Sequence, residues 1–354
     1  MSEVILAGTI IYGEDLEVLT DSYLVVEKGI IKEVGSGSGV DAVIDGIIIP
    51  GLVNAHTHIG DSFFKDPPHL PLDELVKPPH GLKHRLLADI DRETLIDSMR
   101  VSIMQMIRSG ISLFADFREG GSFGAEALRA ALSGMNIESL IFGREEVAPD
   151  VMDGIGVSGA GDSDPEELLK MRERARELGM PFAIHAGEID GSDIDDALDL
   201  HPDHVVHMVH ADTRHIRRMA DLDIPLVICI RSNLLTGVGI PPLLSMLDTG
   251  ILTGIGTDNV MLNSPDVLTE MEFLSKVYRL DDREVLRMAT INGRKILADP
   301  GYCGIMEGRD ADITVISRKS LNMQGFKDPV RSVVRRATAS DIIACMRKDR
   351  VEVF

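Results

Sequence analysis

The stretch Ile47-Ile-Ile-Pro-Gly-Leu-Val-Asn-Ala-His-Thr-His58 is an apolar run that ends in two histidines one residue apart. In a β-strand, residues i and i+2 point to the same face, so His56 and His58 project side by side from the strand's C-terminal end. Neutral imidazole is a common metal ligand, and two on one face make half of a tetrahedral or five-coordinate site. Alone the pair is weak evidence, because a surface or capping pair looks the same. Two more ligands must come from elsewhere in the chain.

Beyond Gly51, apolar runs alternate with amphipathic, charged stretches. The runs are residues 52–53, 112–116, 139–143, 154–157, 181–185, 204–207, 225–230 and 252–258. Between them lie helical patterns such as residues 164–178, with an Asp cap, a Pro in the first turn and Gly179 past the end. Strands alternating with helices imply parallel βα units, and eight over about 250 residues give an α/β fold of the (β/α)8 TIM-type barrel kind. We place the barrel at residues 51–305.

The flanking segments have a different pattern. Residues 4–11, 22–27, 29–34 and 42–45 are β-branched, separated by Gly and Asp turns, and lack helical periodicity. After a helical stretch at 282–297, strand character returns at 310–316, 341–345 and 351–353. Residues 1–50 plus 306–354 are therefore expected to form one small β-sandwich domain from both termini. Gly35-Ser-Gly-Ser-Gly39 reads as a flexible connection, since no helix pattern or Lys follows to make it a phosphate loop.

Composition narrows the partners. With 57 acidic and 36 basic residues the formal net charge is -21, which opposes attraction to nucleic acid or to anionic membrane surfaces. Three dispersed cysteines, Cys229, Cys303 and Cys345, suggest neither a disulfide framework nor a metal knuckle. No apolar stretch approaches the roughly 18 residues of a membrane span. A cytoplasmic protein acting on a small molecule is the expectation.

Chemistry in such barrels sits at the C-terminal ends of the strands. The first run ends in His56 and His58, the fifth in His185 followed by Ala-Gly-Glu188, the sixth in His207, and the eighth in Asp258. Singly, His185 reads as a structural hydrogen-bonder and Asp258 as a turn or helix cap. Jointly they converge on one face of a chain with 11 histidines. His56, His58, His185 and Asp258 would hold one divalent ion with a position open for water, whose pKa falls toward about 7. The chemistry is then hydrolysis by metal-activated water. Asp258 serves as ligand and base, Glu188 shuttles a proton to the substrate's nitrogen, and His207 polarises the substrate or steadies the attacking oxygen. The competing role for Glu188 is to hold an imidazole in place.

His56-Thr-His58, His185-Ala-Gly-Glu188, His207 and Gly256-Thr-Asp258, in that order, resemble the amidohydrolase superfamily. The chain is most similar to the branch holding cytosine deaminase, S-adenosylhomocysteine deaminase and chlorotriazine hydrolases. Pro50-Gly-Leu-Val-Asn-Ala-His-Thr-His58 matches that branch's first-strand signature. Arg231-Ser-Asn233 resembles its seventh-strand segment, Ala289-Thr-Ile-Asn-Gly293 its post-barrel helix, and Gly308-Arg-Asp-Ala-Asp-Ile313 its return to the small domain. The resemblance implies a distorted barrel, a composite β-sandwich and a metal, usually zinc and sometimes iron. Binuclear relatives carry a lysine at the end of strand four, and residues 154–161 have none, which implies one ion. Met208 and Ile230-Arg231 depart from the family pattern and leave the substrate open.

Three places bear on the substrate. The loop from Gly60 to His84 carries Pro67-Pro68, Pro78-Pro79 and the histidines His69, His80 and His84; one of these lines the pocket, or the loop is a surface lid. Arg118 or Glu119, at the end of strand two, faces the mouth, with Arg118 paired either to a substrate anion or to a neighbouring carboxylate. Arg231 is a lesser option. The leading function is a mononuclear metal-dependent aminohydrolase, a deaminase of a nucleobase-like or related heterocycle. The alternatives are a cyclic amidase or guanidine-type hydrolase, and a metal-retaining scaffold without catalysis. Homodimers or higher homo-oligomers are common among such barrels.

Overall fold

A computed structural model describes residues 3–37, 41–77, 80–144 and 146–354. Pro78-Pro79 and part of the Gly35 to Gly39 connection lie outside the described residues. In chain order the strands are β1 (Val4–Tyr12), β2 (Glu17–Glu27), β3 (Ile30–Ser36), β4 (Ile44–Pro50), β5 (Leu52–His58), β6 (Ile111–Arg118), β7 (Glu138–Gly143), β8 (Gly154–Val157), β9 (Phe182–Ala186), β10 (His204–His207), β11 (Leu226–Ile228), β12 (Thr253–Ile255), β13 (Asp258–Asn259), β14 (Asp312–Ile316), β15 (Ile342–Arg347) and β16 (Arg350–Val353).

One sheet runs β16-β15-β14-β4-β1-β2-β3 and joins the two termini. β14 lies antiparallel to β4, with Val315 opposite Ile48, and β4 lies parallel to β1. The β3 edge meets the segment leading into β14, where Ile31 N donates to Arg309 O and Ala311 N to Gly29 O. Leu6, Ile10, Leu24, Ile31, Ile48, Ile313 and Val315 fill the space between. From Gly46 to Pro50, β4 is apolar because both of its faces are buried there. Ile48 points into this small core, while Ile47 and Ile49 point to the barrel's outer layer.

The second sheet runs β12-β11-β10-β9-β8-β7-β6-β5-β13, parallel throughout. β12 and β13 are halves of one strand. The first pairs with β11 and the second with β5, which closes the (β/α)8 barrel. The break between them puts Gly256 so close to β5 that a Cβ there would meet His56 Cβ at 2.7 Å. Asn54 stitches the seam: its Oδ1 accepts from Thr257 N at 3.0 Å and its Nδ2 donates to Thr257 Oγ1 at 2.8 Å. Val53, Ala55, Leu113, Ala115, Phe117, Phe142, Ala183, Val206 and Val227 fill the barrel interior.

Pattern and structure differ at two points. The run 225–230 is a strand only to Ile228, and Ile230–Thr236 is helical. Its first four residues are buried, and a short buried helix segment has no periodicity to distinguish it from a strand. The connection from β7 to β8 carries no helix among the described residues, so one of the eight units is a bare loop. The helix Pro165–Leu178 follows the expected signals. Asp164 accepts from Glu166 N and Glu167 N, and Gly179 takes the left-handed conformation at φ 64°.

Inside the barrel His204 is 1% exposed, between the rings of Phe117 and Phe142, and neither ring nitrogen has a partner among the described residues. Burial pushes its pKa down to about 3 from 6.5. As pH falls below 6.5 the unfolded chain takes up a proton that the fold refuses, so stability declines by about 1.4 kcal/mol per pH unit from this one group. His204→Leu is expected to flatten the dependence of urea-unfolding free energy between pH 6 and pH 4 by that amount. An unchanged slope would show that His204 titrates freely.

Candidate active site

The C-terminal mouth of the barrel gathers imidazoles from three strands and a carboxylate from a fourth. His56 and His58 come from β5, His185 from β9, His207 from β10 and Asp258 from β13, and all five are buried. Val53 and Ala55 occupy the barrel interior, so simple alternation would turn His56 and His58 outward. The β5–β6 ladder shifts between Asn54 and Thr57, and this irregularity re-aims both rings into the mouth. His207 (φ 74°) and Asp258 (φ 62°) both hold left-handed backbone conformations. Such strain costs about 1–3 kcal/mol per residue and concentrates at functional sites.

His56 Nε2 is 3.2 Å from His185 Nε2 and 3.4 Å from Asp258 Oδ1. His58 Nε2 is 3.4 Å from His185 Nε2 and 3.6 Å from Asp258 Oδ1. Donors at about 2.0–2.1 Å from one tetrahedral ion are themselves about 3.3–3.4 Å apart. These four spacings are those of neighbouring ligands, and the residues fall into overlapping groups of three, among them His56 with His58 and Asp258, and His56 with His185 and His207.

The outer nitrogens decide the tautomers. His185 Nδ1 meets Val157 O at 2.8 Å, and His58 Nδ1 meets Phe117 O at 3.1 Å and Glu119 Oε1 at 3.0 Å. Both Nδ1 atoms therefore carry the proton, and both Nε2 lone pairs point inward at one another. Burial lowers the pKa of His56, and those of His58 and His185 further, so protonation does not relieve the repulsion. Burial works against ionisation of Asp258, but its bond to His56 and the surrounding imidazoles hold its carboxyl well below the usual range. Two inward lone pairs, the His56 ring, whose Nδ1 has no partner among the described residues, and a carboxylate fit one cation.

Glu188 and His207 flank this knot. Glu188 Oε2 is 3.7 Å from His207 Nε2, about a fifth of its side chain is exposed to the cleft, and burial raises its pKa. His207 Nδ1 meets Asn233 Oδ1 at 3.0 Å, and Ser232 donates to Asp258 Oδ2 at 2.5 Å. The helix Ile230–Thr236 thus steadies both groups, a role hidden when residues 231–233 are taken as strand.

A cleft of about 520 Å³ opens above. His58, His185, Glu188, His207 and Asp258 line it together with Lys83, Arg144 and, from the lid helix Leu72–Val76, Leu72 and Val76.

The three substrate candidates from the sequence lie outside that lining. Arg118 is 1% exposed and packs on Gly60, with ion pairs to Asp116 Oδ2 at 3.3 Å and to Glu119 Oε2. Arg231 bonds Glu270 Oε1 at 2.6 Å and the carbonyls of Ser264 and Asp266. Glu119 holds the His58 ring from behind. Burial would raise its pKa, but Lys83, His58 and Arg118 keep it well below the usual range. His69 and His80 are exposed, and His84 turns to Val76 O at 3.0 Å, so none of the loop histidines joins the lining.

The sequence reading missed Lys83 and Arg144. Arg144 was within reach, since it follows the third apolar run and so stands at a strand end. Lys83 had no such signal, because it sits in a loop whose polar residues look solvated.

The sequence model of the Amidohydrolase family matches residues 47–348. A putative aminohydrolase of Methanothermobacter thermautotrophicus is 35% identical, with 97% of each chain covered. A 5-methylthioadenosine/S-adenosylhomocysteine deaminase of Moorella thermoacetica is 27% identical, covering 93% of this chain and 90% of its own. Among solved structures, an adenosine deaminase from Xanthomonas campestris with bound zinc superposes with a TM-score of 0.83 at 19% identity, over 99% of this chain and 92% of that one. At that identity the likeness concerns the fold.

Proposed function

Because this chain belongs to the amidohydrolase family, we propose that it is a metal-dependent aminohydrolase that deaminates a small nitrogen heterocycle. The observation that carries this reading is the placement of Glu188, protonable by burial, at the same cleft as the four-ligand knot. His56, His58, His185 and Asp258 are the residues that would hold the ion. A nitrogen-rich set with one carboxylate suits zinc, with iron as the alternative. β8 ends in Ser158-Gly-Ala-Gly161 with no lysine to bridge a second ion, so one per chain is expected.

A divalent ion at this position acidifies water at neutral pH. Glu188 receives the proton that water gives up and delivers it to the ring nitrogen. Once the carbon–oxygen bond has formed, it takes the remaining proton from the added hydroxyl and passes it to the amine, which leaves as ammonia as the carbon–nitrogen bond breaks and the ring carbonyl forms. Burial raises the Glu188 pKa above the ordinary carboxylate value, which favours its holding a proton during this exchange. His207 has its Nδ1 proton fixed on Asn233, so its Nε2 is free to bond the adding oxygen or the substrate.

The test is ammonia release from a panel of purines, pyrimidines, pterins and hydantoins by metal-loaded protein, with metal counted per chain. Ammonia from an amino-bearing ring and about one ion per chain are expected. Ring opening without ammonia would replace the deaminase by a cyclic amidase, and inertness on every compound would leave a metal-holding scaffold. Two ions per chain would overturn the single-ion assignment.

A further inference from the structure

Of the three cleft-lining cations that the chemistry above does not use, Lys77 pairs with Asp162, which leaves Lys83 and Arg144. Lys83 is 2% exposed and its Nζ is 2.6 Å from Glu119 Oε1. Arg144 Nη1 reaches the same oxygen at 2.8 Å, its Nη2 meets Ser158 Oγ, and its side chain is 9% exposed. That oxygen also meets His58 Nδ1 at 3.0 Å, while the other carboxylate oxygen is taken by Arg118. One carboxylate oxygen is thus shared by an ammonium, a guanidinium and an imidazole N–H.

The donors outnumber the acceptors. An ammonium has three N–H groups and a guanidinium five. Among the described residues Glu119 is the sole ion-pair partner of both Lys83 and Arg144. Of the other carboxylates on the wall, Asp73 is exposed and has no ion pair among the described residues, and the rest are committed elsewhere. Asp162 pairs with Lys77 at 3.2 Å, and Glu188 and Asp258 face the reacting centre. Two nearly dry cations share one carboxylate oxygen with N–H groups to spare, and a dry, under-paired cation is costly until an anion meets it. Phe, Tyr and Trp are absent from the described lining, so charge and hydrogen bonds, not stacking, must select the ligand.

We propose that Lys83 and Arg144 form an anion subsite beside the metal centre, and that the substrate is a heterocycle carrying a carboxylate on the reacting ring itself. This deepens the aminohydrolase reading and rests on it for the word substrate. The position follows from the geometry: the oxygen that both cations share is one hydrogen bond from a ring of the ligand knot. An acid group on a long tail would reach past it. The planar fork of Arg144 beside an ammonium suits a carboxylate, which can take a bond on each oxygen.

The experiment separates binding from turnover by using matched pairs. Calorimetry on the metal-loaded protein compares orotate with uracil and 5-carboxycytosine with cytosine, and ammonia release is followed for the cytosine pair. The acid member of at least one pair is expected to bind about 10- to 100-fold more tightly, the worth of one charge-assisted contact. Lys83→Met and Arg144→Gln should each shrink that preference toward parity with the metal content retained. If the buried Lys83→Met does not fold, Arg144→Gln decides alone. No preference for the acid member in either pair, or a preference that survives Arg144→Gln, overturns the subsite. Acid preference without ammonia release keeps the subsite and removes the deaminase. Ammonia release without acid preference does the reverse.

Discussion

Glu188→Gln is expected to lower kcat by about 10³-fold while metal per chain and thermal midpoint stay at the wild-type values. The amide keeps the size and the polar face of the side chain, so the cleft and the 3.7 Å approach to His207 survive. What it loses is the ability to take a proton from water and return one to nitrogen. Burial, the largest cause of the raised Glu188 pKa, acts only on a group that ionises, so the substitution also removes a charge that is costly to dehydrate. Stability should not fall. Steady-state kinetics with metal analysis decides it. A variant that has lost its ion would make Glu188 a ligand, and one with near wild-type kcat would remove it from proton transfer.

The fold, and the strand-end cluster proposed to hold the ion, could be read from the sequence for one reason: both rest on strand-end arithmetic. A parallel barrel strand is buried on both faces and announces itself as an apolar run, and the residue ending the run lies at the mouth. That logic finds His56, His58, His185, His207 and Asp258, which the structure brings within a few ångströms of one another. It fails for residues whose neighbours come from distant segments. Arg118 ends a strand, yet Asp116 and Glu119 on the same strand end claim its guanidinium. Arg231 lies at the end of the seventh strand, yet Glu270, from the helix Val267–Tyr278, neutralises it. A sequence shows which residues have charge to offer and not which carboxylate will consume it. Lys83 is the converse, since only the folded lid segment carries an apparently solvated lysine into the mouth.

Glu119 shows why such a correction matters for chemistry. Its carboxylate holds His58 from behind, accepting the Nδ1 proton and leaving Nε2 for the ion. The same carboxylate gathers Lys83 and Arg144 at the cleft. One buried acid thus sets both the His58 tautomer and the position of the two cations, so the proposed ion site and the proposed anion subsite would be built as a unit.

The second large effect concerns His185. His185→Ala is expected to reduce bound metal from about one ion per chain to a small fraction after dialysis, and to abolish turnover. His185 Nε2 lies within 3.4 Å of both β5 imidazoles, so its removal opens a whole side of the donor set. The stability readout is independent of activity. In the wild type an ion relieves the inward-facing lone pairs and the buried Asp258 charge, and free ion at a thousand times Kd should stabilise the fold by about 4 kcal/mol. In His185→Ala that ion-dependent rise should vanish at the same concentration. The comparison is within one protein, with and without ion, so the packing lost with the imidazole, which stacks on His207, cancels. Full occupancy in the variant, or an ion-dependent rise equal to that of the wild type, would show that His185 is a structural histidine and that the ion sits elsewhere.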